Sequence, residues 1–321
     1  MTARLLDGPA MVLGASGFIG RWVVRELTRR GTPVIAVVRN ASAAMDVLDR
    51  WAARADIAQA DLNLAGTAAA LVALHRPATV FNLAGYGVDR NERDPMIARR
   101  MNGDLVAEVA GACAPSSAWP GATFVHTGSA LEYGATSGAL RETGPVAPTT
   151  VYGTTKLAGT RHLASVAALR GTRAVTARLF TVFGDGEHSG RLFPSLLGAA
   201  TATVPLDLTD GRQQRDFAWV QDVAEALVKL AVSSFDPGEV VNLASGQMHE
   251  VGAFVRAVAA HVGIPAERLR FGALPTRAEE MTHEGVSVER IKQLLGQPLP
   301  GDLAGLVARA AHDAQERASR R

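Results

Sequence analysis

The sequence predicts an α/β fold, a doubly wound parallel sheet with a smaller C-terminal lobe. Two patterns lead to this prediction. In the first half of the chain, short apolar runs of β type alternate with longer amphipathic stretches, which is typical of strand-helix-strand units that build a parallel sheet. After Gly184, glycine and proline interrupt this alternation. The total of 321 residues suits one large α/β unit with a lobe rather than two large domains.

The alternation also places the individual strands and helices. We expect strands near residues 10–13, 34–38, 79–83, 123–128 and 174–179. We expect helices near residues 18–30, 95–114, 150–169 and 223–232. Asp222 is the expected N-cap of the last of these helices.

Composition excludes several classes of protein. The chain is 47% hydrophobic and 20% charged, with no apolar run of membrane-spanning length, so no membrane segment is expected. Strand-like residues and a glycine loop begin within the first 14 residues, which leaves no room for a signal peptide, and we expect a cytoplasmic protein. Cys113 is the single cysteine, and no cysteine or histidine cluster has metal-ligand spacing. Neither a disulfide nor a metal site is expected.

Charge gives little support for nucleic-acid binding. The formal net charge is only +2, and the arginines are dispersed among acidic residues instead of lying along one face. The basic end of the chain, residues 317–321, is expected to be a solvated tail.

The glycine-rich loop lies between the first expected strand and the first expected helix, a context that indicates a dinucleotide site. Gly14 permits the tight turn, Gly17 lets the backbone approach a pyrophosphate, and Gly20 allows close packing of the helix, whose N terminus faces the anion. We therefore expect a Rossmann-type site for a nicotinamide dinucleotide. Its loop residues are Gly14, Ser16, Gly17, Phe18, Ile19 and Gly20.

The residues after the second strand favour NADP(H) over NAD(H). Sites that prefer NAD usually carry an acidic residue there for the ribose hydroxyls, whereas this chain has Arg39 followed by Asn40. A guanidinium can bind a 2′-phosphate in bidentate geometry. NAD(H) stays the alternative cofactor. Further cofactor contacts are expected from Asp61 and Leu62 near the adenine, and from Leu83, Ala84 and Gly85 after a later strand.

These assignments divide the chain into two parts. Residues 1–180 are expected to form the dinucleotide-binding domain, to which residues 213–245 return. Residues 181–321 are expected to form mainly the substrate-binding lobe.

Tyr152 and Lys156 form a candidate catalytic pair. They lie on successive turns of one face of an expected helix, so both can contact one ligand. The chain has three Lys and three Tyr residues, and roughly 0.03 Tyr-Lys pairs at this spacing are expected at random. A compact ammonium can bind a ribose hydroxyl while lowering the pKa of the neighbouring phenol toward the working pH. Ser129 ends an expected strand, where its hydroxyl can bind the substrate oxygen beside Tyr152.

These residues carry a resemblance to a known family. The chain resembles the extended short-chain dehydrogenase/reductase family, which comprises the sugar-nucleotide epimerases, dehydratases and 4-ketoreductases. The likeness covers nearly the whole length. Its motifs are the loop GASGFIG, the run Ser129-Ala-Leu-Glu-Tyr-Gly, the Tyr152 and Lys156 pair, Arg178-Leu-Phe-Thr-Val-Phe-Gly, and Arg215-Asp-Phe followed by Val220-Gln-Asp222.

The resemblance implies a role for each matching residue. Tyr152 would be the general acid/base, Ser129 would orient and polarise the reacting oxygen, and Lys156 would hold the nicotinamide ribose. Arg215 matches an arginine that binds the diphosphate of a nucleotide-sugar substrate, and Arg277 lies where a second such arginine often occurs. The family also implies a homodimer, formed by the helices that contain the residues 95–114 and 150–169.

Departures from the family's patterns narrow the reaction. Ala130 and Leu131 stand where dehydratases carry Asp-Glu, so dehydration is not expected. Thr181 stands where 4-epimerases commonly have a substrate-contacting Asn, and it is an expected substrate contact. The leading hypothesis is NADPH-dependent reduction of the 4-keto group of a nucleotide-linked 4-keto-6-deoxyhexose. A 4-epimerase that keeps its cofactor bound is the alternative, and a non-catalytic dinucleotide-sensing protein is a remote one.

Overall fold

The computed structural model describes residues 6–89, 91–275 and 284–319. The strands are β1 (Ala10–Leu13), β2 (Val34–Val38), β3 (Asp56–Gln59), β4 (Thr79–Asn82), β5 (Thr123–Ser129), β6 (Ala139–Leu140), β7 (Ala174–Leu179), β8 (Thr181–Phe183), β9 (Leu206–Asp207), β10 (Gln214–Trp219), β11 (Glu239–Leu243), β12 (Met248–Glu250), β13 (Leu269–Arg270) and β14 (Gly285–Val286). The helices are α1 (Phe18–Arg29), α2 (Ala41–Arg50), α3 (Thr67–His75), α4 (Pro95–Arg99), α5 (Leu105–Ala112), α6 (Val151–Arg170), α7 (Leu192–Ala199), α8 (Val220–Leu230), α9 (Val251–Val262), α10 (Glu289–Leu295) and α11 (Leu303–Ser319). A π-helical turn, Arg100–Asp104, joins α4 to α5.

A parallel sheet organises the molecule. Within the described residues it has seven strands in the order β11-β7-β5-β4-β1-β2-β3, and every neighbouring pair is parallel. The strand order reverses between β1 and β4, which opens a crevice at the carboxyl ends of these strands, where doubly wound sheets bind their ligands. The predicted Rossmann-type sheet is confirmed.

Helices cover both faces of this sheet. Val12 and Phe81 pack on one face with α1 and α8, whereas their chain neighbours Met11 and Val80 pack on the other face with α3, α5 and α6. Because successive side chains of a strand point to opposite faces, a strand covered on both faces is apolar throughout. This is why the central strands appear in the sequence as short continuous apolar runs.

The predicted strands and helices of the first half are confirmed with small shifts at their ends, except that the helix expected over 95–114 is divided into α4, the π-helical turn and α5. The prediction for α8 also needs correction. The expected N-cap, Asp222, lies inside the first turn, since α8 begins at Val220 and its N-cap is Trp219. Trp219 is also the last residue of β10, so the strand runs directly into the helix without a separate capping residue. The Asp222 carboxylate binds Arg309 instead, at 2.8 and 3.1 Å.

The sequence did not reveal the two edge strands of the sheet. β3 reads Asp-Ile-Ala-Gln and is partly exposed at one edge, so it lacks a continuous apolar run. β11 pairs with β7 at the other edge, so residues 239–243 join the sheet that the first half builds. In the described part of the second half, β8, β10 and β12 form a separate three-stranded sheet. The boundaries of the two domains stay predictions.

The expectation of a solvated basic end is wrong for Arg317 in α11. Its side chain is only 11% exposed, and its guanidinium carbon lies 4.6 Å from the centre of the Trp22 ring and 5.1 Å from that of Trp51. The guanidinium also donates to Asp185 at 2.7 Å and pairs with Asp313. Most of these partners come from distant parts of the chain, so local composition cannot reveal them.

Replacing Arg317 with alanine is expected to lower the free energy of unfolding by about 2–3 kcal/mol, because two stacking contacts and two ion pairs are lost together. Urea denaturation followed by circular dichroism measures the change. The control is Lys292→Ala, which removes an exposed pair with Glu289 and should change stability by less than about 0.5 kcal/mol. Equal losses in both variants would contradict the role given to Arg317.

Candidate active site

The glycine loop turns the chain from β1 into α1. Gly14 has a φ of 76°, which glycine tolerates, and a Cβ on it would lie 2.9 Å from Ala84 N. A Cβ on Gly20 would lie 2.1 Å from Gly14 O, so glycine is needed where α1 packs on the turn. Gly17 is the N-cap of α1, and no described side chain caps this end of the helix. Its first N–H groups are therefore available to an anion, which fits the pyrophosphate of a dinucleotide.

Arg21 supports this loop from the side. Its guanidinium donates to Gly17 O at 2.9 Å and to Ser16 O at 2.8 Å. Burial lowers the pKa of Arg21 to about 10, and the charge of Asp185 opposes this shift. The first turn of α1 also contains Phe18 and Ile19, both partly buried.

Arg39 and Asn40 follow β2, and the structure gives them different surroundings. Asn40 is the N-cap of α2, and its Oδ1 accepts a hydrogen bond from Ala43 N at 3.0 Å. Arg39 is exposed, and within the described residues it has no hydrogen bond or ion pair. Its guanidinium is thus available to a ligand at the carboxyl end of β2, which fits a phosphate on the adenosine ribose.

The π-helical turn holds the segment expected near the adenine. Asp61 is exposed and its Oδ1 accepts from Asn63 N at 2.9 Å, while Leu62 is buried. Arg100 donates to the carbonyl oxygens of Leu62 and Asn63 at 3.0 and 3.1 Å. An ion pair with Glu108 at 2.7 Å fixes the guanidinium of Arg100. Arg100 therefore connects residues 62–63, which follow β3, with α5.

Asn102 holds the loop that follows β4. Its buried side chain accepts from Tyr86 N at 3.0 Å and donates to Tyr86 O at 2.8 Å and to Thr155 Oγ1 at 3.0 Å. A Cβ on Gly85 would lie 3.3 Å from Asn102 Oδ1 and 3.4 Å from Lys156 Nζ, so this loop passes close to α6. The loop begins with the partly buried Leu83 and the buried Ala84.

Ser129 ends β5 and caps the short 3₁₀ turn Ala130–Glu132. Ser129 Oγ accepts from Leu131 N at 3.2 Å, and the Glu132 carboxylate accepts from Ser129 N at 2.8 Å. These reciprocal bonds form a capping box, which the Ser-x-x-Glu spacing in the sequence would have indicated.

Tyr152 and Lys156 lie on the first turns of α6, which begins after the N-cap Thr150. The Lys156 ammonium is buried and donates to Thr127 O at 3.0 Å, which fastens α6 to the end of β5. Lys156 Nζ lies 5.9 Å from the centre of the Tyr152 ring, and the Ser129 side chain is near enough to the Tyr152 phenol to influence its pKa. The three predicted catalytic residues are thus brought together.

Burial controls the protonation of this pair. Burial raises the pKa of Tyr152 above its usual range and the charge of Glu132 raises it further, whereas the nearby Ser129 side chain acts in the opposite direction. Burial lowers the pKa of Lys156 to about 8, although Glu132 opposes this shift. The expected lowering of the Tyr152 pKa is not found, because burial and then the charge of Glu132 raise this pKa. Tyr152 is therefore a neutral phenol at neutral pH.

Two loops come together near Tyr152. Gly87, in the loop after β4, lies so close to the phenol ring that a Cβ would be 3.3 Å from Tyr152 Cδ2. Asp89 in the same loop pairs with His188 in the loop after β8, with 3.0 Å between Oδ2 and Nε2. Burial raises the pKa of the adjacent Glu187 to about 7, although a nearby arginine opposes this shift. The pair joins the loops that border the site.

The expected substrate contacts lie on β8 and β10. Thr181 begins β8, two residues after the β7 register partner of Ser129. Thr181 pairs with Phe217 on β10, so the partly exposed Arg215 lies two residues away along the neighbouring strand. Arg277 lies outside the described residues.

Asp216 anchors β10 beside Arg215. It is 1% exposed and accepts hydrogen bonds from the backbone N–H groups of Ser245 and Gly246. Burial raises the pKa of Asp216 to about 6, and these hydrogen bonds oppose the shift. The aspartate of the Arg215-Asp-Phe motif therefore holds the strand that presents Arg215.

This arrangement permits proton transfer to a ligand oxygen beside the place where a bound nicotinamide would exchange a hydride. A protonated phenol, a serine hydroxyl and an ammonium converge where the sheet crevice suits a dinucleotide, so an oxygen of a bound ligand can receive a proton there. This fold and site define an NAD(P)-dependent enzyme of the extended short-chain dehydrogenase/reductase type.

Comparison with known proteins identifies the family. The chain belongs to the NAD dependent epimerase/dehydratase family, whose sequence profile matches residues 10–244. Its resemblance to the extended short-chain dehydrogenase/reductases, predicted from the motifs, is thereby confirmed.

Curated relatives carry activities on nucleotide-linked sugars. The chain is 30% identical over 226 residues to a dTDP-4-dehydrorhamnose reductase of Streptomyces griseus, a match that covers 70% of this chain and 65% of the relative. It is 29% identical over 264 residues to a dTDP-6-deoxy-L-talose 4-dehydrogenase (NAD(P)(+)) of Kitasatospora kifunensis, with 80% of each chain covered. Other relatives include a UDP-glucose 4-epimerase of Azospirillum brasilense.

A solved structure resembles nearly the whole chain. MoeE5 in complex with UDP-glucuronic acid and NAD superposes with a TM-score of 0.79 at 27% identity, covering 97% of this chain and 100% of that one. The class of cofactor predicted from the glycine loop, NAD or NADP, agrees with these similarities.

The structure leaves the assembly and location of the protein as predictions. No helix among the described residues is both long and apolar enough to cross a membrane. On the helices of the expected dimer surface, the exposed large apolar side chains are those of Met96, Val151 and Leu169. The homodimer and the cytoplasmic location stay predictions.

Replacing Asn102 with alanine is expected to weaken NADPH binding by roughly tenfold, because the Tyr86 peptide loses both of its side-chain hydrogen bonds and the loop beside Lys156 is released. Titration of NADPH fluorescence measures the dissociation constant. Thr155→Val removes a single bond of this set and should cost less than about threefold. Identical dissociation constants in the two variants and the parent would contradict the role of Asn102.

Proposed function

We propose that this protein reduces the 4-keto group of a nucleotide-linked 4-keto-6-deoxyhexose with NADPH. The observation that carries the proposal is the convergence of Ser129, Tyr152 and Lys156 at the carboxyl edge of the sheet, with Tyr152 as a neutral phenol. Reduction of a ketone needs a proton donor beside the carbonyl oxygen while hydride is transferred to the carbon. A phenol that keeps its proton meets this need.

Each catalytic residue has one task in this reaction. When bound, NADPH supplies the hydride. Tyr152 donates its phenolic proton to the C4 oxygen, and Ser129 donates a hydrogen bond that orients the same oxygen. Lys156, held by the backbone of β5, binds the nicotinamide ribose. The neutral phenol is the form of Tyr152 that begins the reduction.

The residues around the sheet crevice support a nicotinamide dinucleotide as cofactor. Gly14, Gly17 and Gly20 let the backbone and the N terminus of α1 approach a pyrophosphate. Arg39, exposed and unpaired within the described residues, supports NADPH rather than NADH. The solved relative MoeE5 binds NAD, so NADH is the competing cofactor in the test.

A deoxysugar nucleotide is supported as substrate by the relatives and by the turn after β5. Two relatives are a dTDP-4-dehydrorhamnose reductase and a dTDP-6-deoxy-L-talose 4-dehydrogenase, both named for chemistry at carbon 4. Ala130 and Leu131 leave the turn without the acidic pair that dehydration requires. Arg215 is a candidate ligand for the diphosphate.

A 4-epimerase is the second candidate function. A UDP-glucose 4-epimerase is among the relatives, and the structure of MoeE5 contains bound NAD. An epimerase oxidises its substrate first, so Tyr152 would begin as a base. Both reactions would use the same Tyr152 phenol, so the products of the assay below decide between them. A sensor without activity would not need the assembled Ser129, Tyr152 and Lys156 set.

The test of the reaction is a panel of nucleotide-linked 4-keto-6-deoxyhexoses mixed with the protein and NADPH. Stoichiometric loss of NADPH absorbance together with a reduced sugar is the expected result. Interconversion of two sugars without net NADPH oxidation would instead identify the epimerase. Absence of both would refute a sugar substrate of this class.

Tyr152→Phe should lower turnover by at least about 10³-fold, since the substitution removes the transferred proton and keeps the ring. The dissociation constant for NADPH should stay within about threefold of the parent value. Unchanged turnover in this variant would refute Tyr152 as the acid.

Arg39→Ala should weaken NADPH binding by roughly tenfold or more and leave NADH binding nearly unchanged, because only NADPH carries the 2′-phosphate. Fluorescence titration with each cofactor measures the ratio of the two dissociation constants. Arg170→Ala removes an exposed arginine at the far end of α6 and serves as the control. An unchanged ratio in the Arg39 variant would assign cofactor preference to other residues.

A further inference from the structure

We infer that Glu132, paired with Arg178, is a positioning residue that couples Ser129 on β5 to the Tyr152 and Lys156 face of α6. The inference rests on the proposed function for the roles of these three residues. Glu132 touches neither the phenol nor the ammonium by a hydrogen bond in this structure, and it acts through the groups that it holds.

One buried carboxylate spans three elements beneath the site. Glu132 is 0% exposed; its Oε1 accepts from Ser129 N at 2.8 Å, and its Oε2 accepts from Thr160 Oγ1 and from Arg178 Nε, both at 2.9 Å. Thr160 lies one turn beyond Lys156 on the same face of α6. The carboxylate thereby links the strand that ends in Ser129, the catalytic helix and β7.

The residues around Glu132 and Arg178 leave space for this ion pair and contact it. A Cβ on Gly128 would lie 2.5 Å from Glu132 Oε1, so glycine leaves the room that the carboxylate needs. On the other side, the Arg178 guanidinium lies 4.4 Å from the centre of the Tyr133 ring, and Tyr133 OH donates to Asn242 Oδ1 at 2.7 Å. A buried ion pair is expensive to desolvate, and apolar residues often replace one without loss of stability. Its location directly under the catalytic residues therefore points to positioning rather than to stability alone.

The charge of Glu132 also acts on both titrating groups above it. After burial, which is the larger cause, Glu132 raises the pKa of Tyr152, and it opposes the lowering of the Lys156 pKa that burial causes. Removal of this charge lowers both pKa values. The other charges acting on Tyr152 are those of Arg191 and Glu92. Beside Lys156 lies His126, which is buried and neutral, since burial and then the Lys156 charge lower its pKa.

The test is the pH dependence of NADPH binding in Glu132→Gln, followed by fluorescence from about pH 6 to about pH 10. In the parent protein, affinity is expected to fall above about pH 8, where Lys156 loses its proton. The fall should begin at a lower pH in the variant. Where turnover is measurable, kcat should also drop by roughly 10²-fold with little change in the KM for NADPH, because Ser129 is displaced.

Three further variants make the result specific. Glu26→Gln breaks a different buried ion pair, that of Glu26 with Arg30, whose side chains are 5% and 8% exposed respectively. This variant should keep the pH midpoint of the parent protein. Glu132→Asp keeps the charge but shortens the reach, so it should keep the midpoint and lose turnover. If Glu132→Gln fails to fold, it is combined with Arg178→Met, which removes both charges together; this double variant should keep the parent pH midpoint and still lose turnover, because Ser129 is no longer held.

The outcomes separate this inference from the proposed reaction. A midpoint in a folded Glu132→Gln protein equal to those of the parent and of Glu26→Gln would overturn the inference. Because NADPH binding needs no sugar, a protein that reduces none of the tested ketosugars would refute the proposed function while leaving this measurement intact.

Discussion

The buried ammonium of Lys156 constrains the rest of the site. A charge at 4% exposure needs a polar partner, and Thr127 O provides it at 3.0 Å. α6 must therefore pack against the carboxyl end of β5, which brings Tyr152 to Ser129. This approach leaves little space between the elements. A Cβ on Gly159 would lie 2.1 Å from Asn102 O, so the helix also packs directly on the π-helical turn.

Local patterns were sufficient to predict much of this arrangement. The glycine loop spans only a few consecutive residues, and Tyr152 and Lys156 are one helical turn apart. Both motifs can therefore be recognised from short stretches of sequence. The central strands are equally visible, because burial on both faces makes them apolar throughout. The same reasoning placed α6 within one residue of its observed ends.

Sequence reasoning missed two kinds of contact. One kind joins residues that are distant in the chain, and the other involves a residue in a π-helical turn, where the helix departs from its usual period. Glu132 and Arg178 are 46 residues apart, and their pairing follows from the register of β5 and β7. Asn102 faces the β4 loop from a π-helical turn, whose extra residue a 3.6-residue pattern does not reveal. The pKa of Tyr152 was also predicted in the wrong direction, since burial, which sequence does not quantify, raises this pKa and the charge of Glu132 raises it further.

The position of Arg317 has a consequence for how the chain is made. Trp22 lies in α1 and Arg317 in α11, so the two meet only after the chain has been synthesised through residue 317. During synthesis from the N terminus, the indole rings of Trp22 and Trp51 lack the Arg317 contact until α11 has been made. Exposed aromatic surface of this kind attracts chaperones and promotes aggregation. A nascent chain that lacks α11 therefore leaves the rings of Trp22 and Trp51 without the Arg317 guanidinium that contacts both of them.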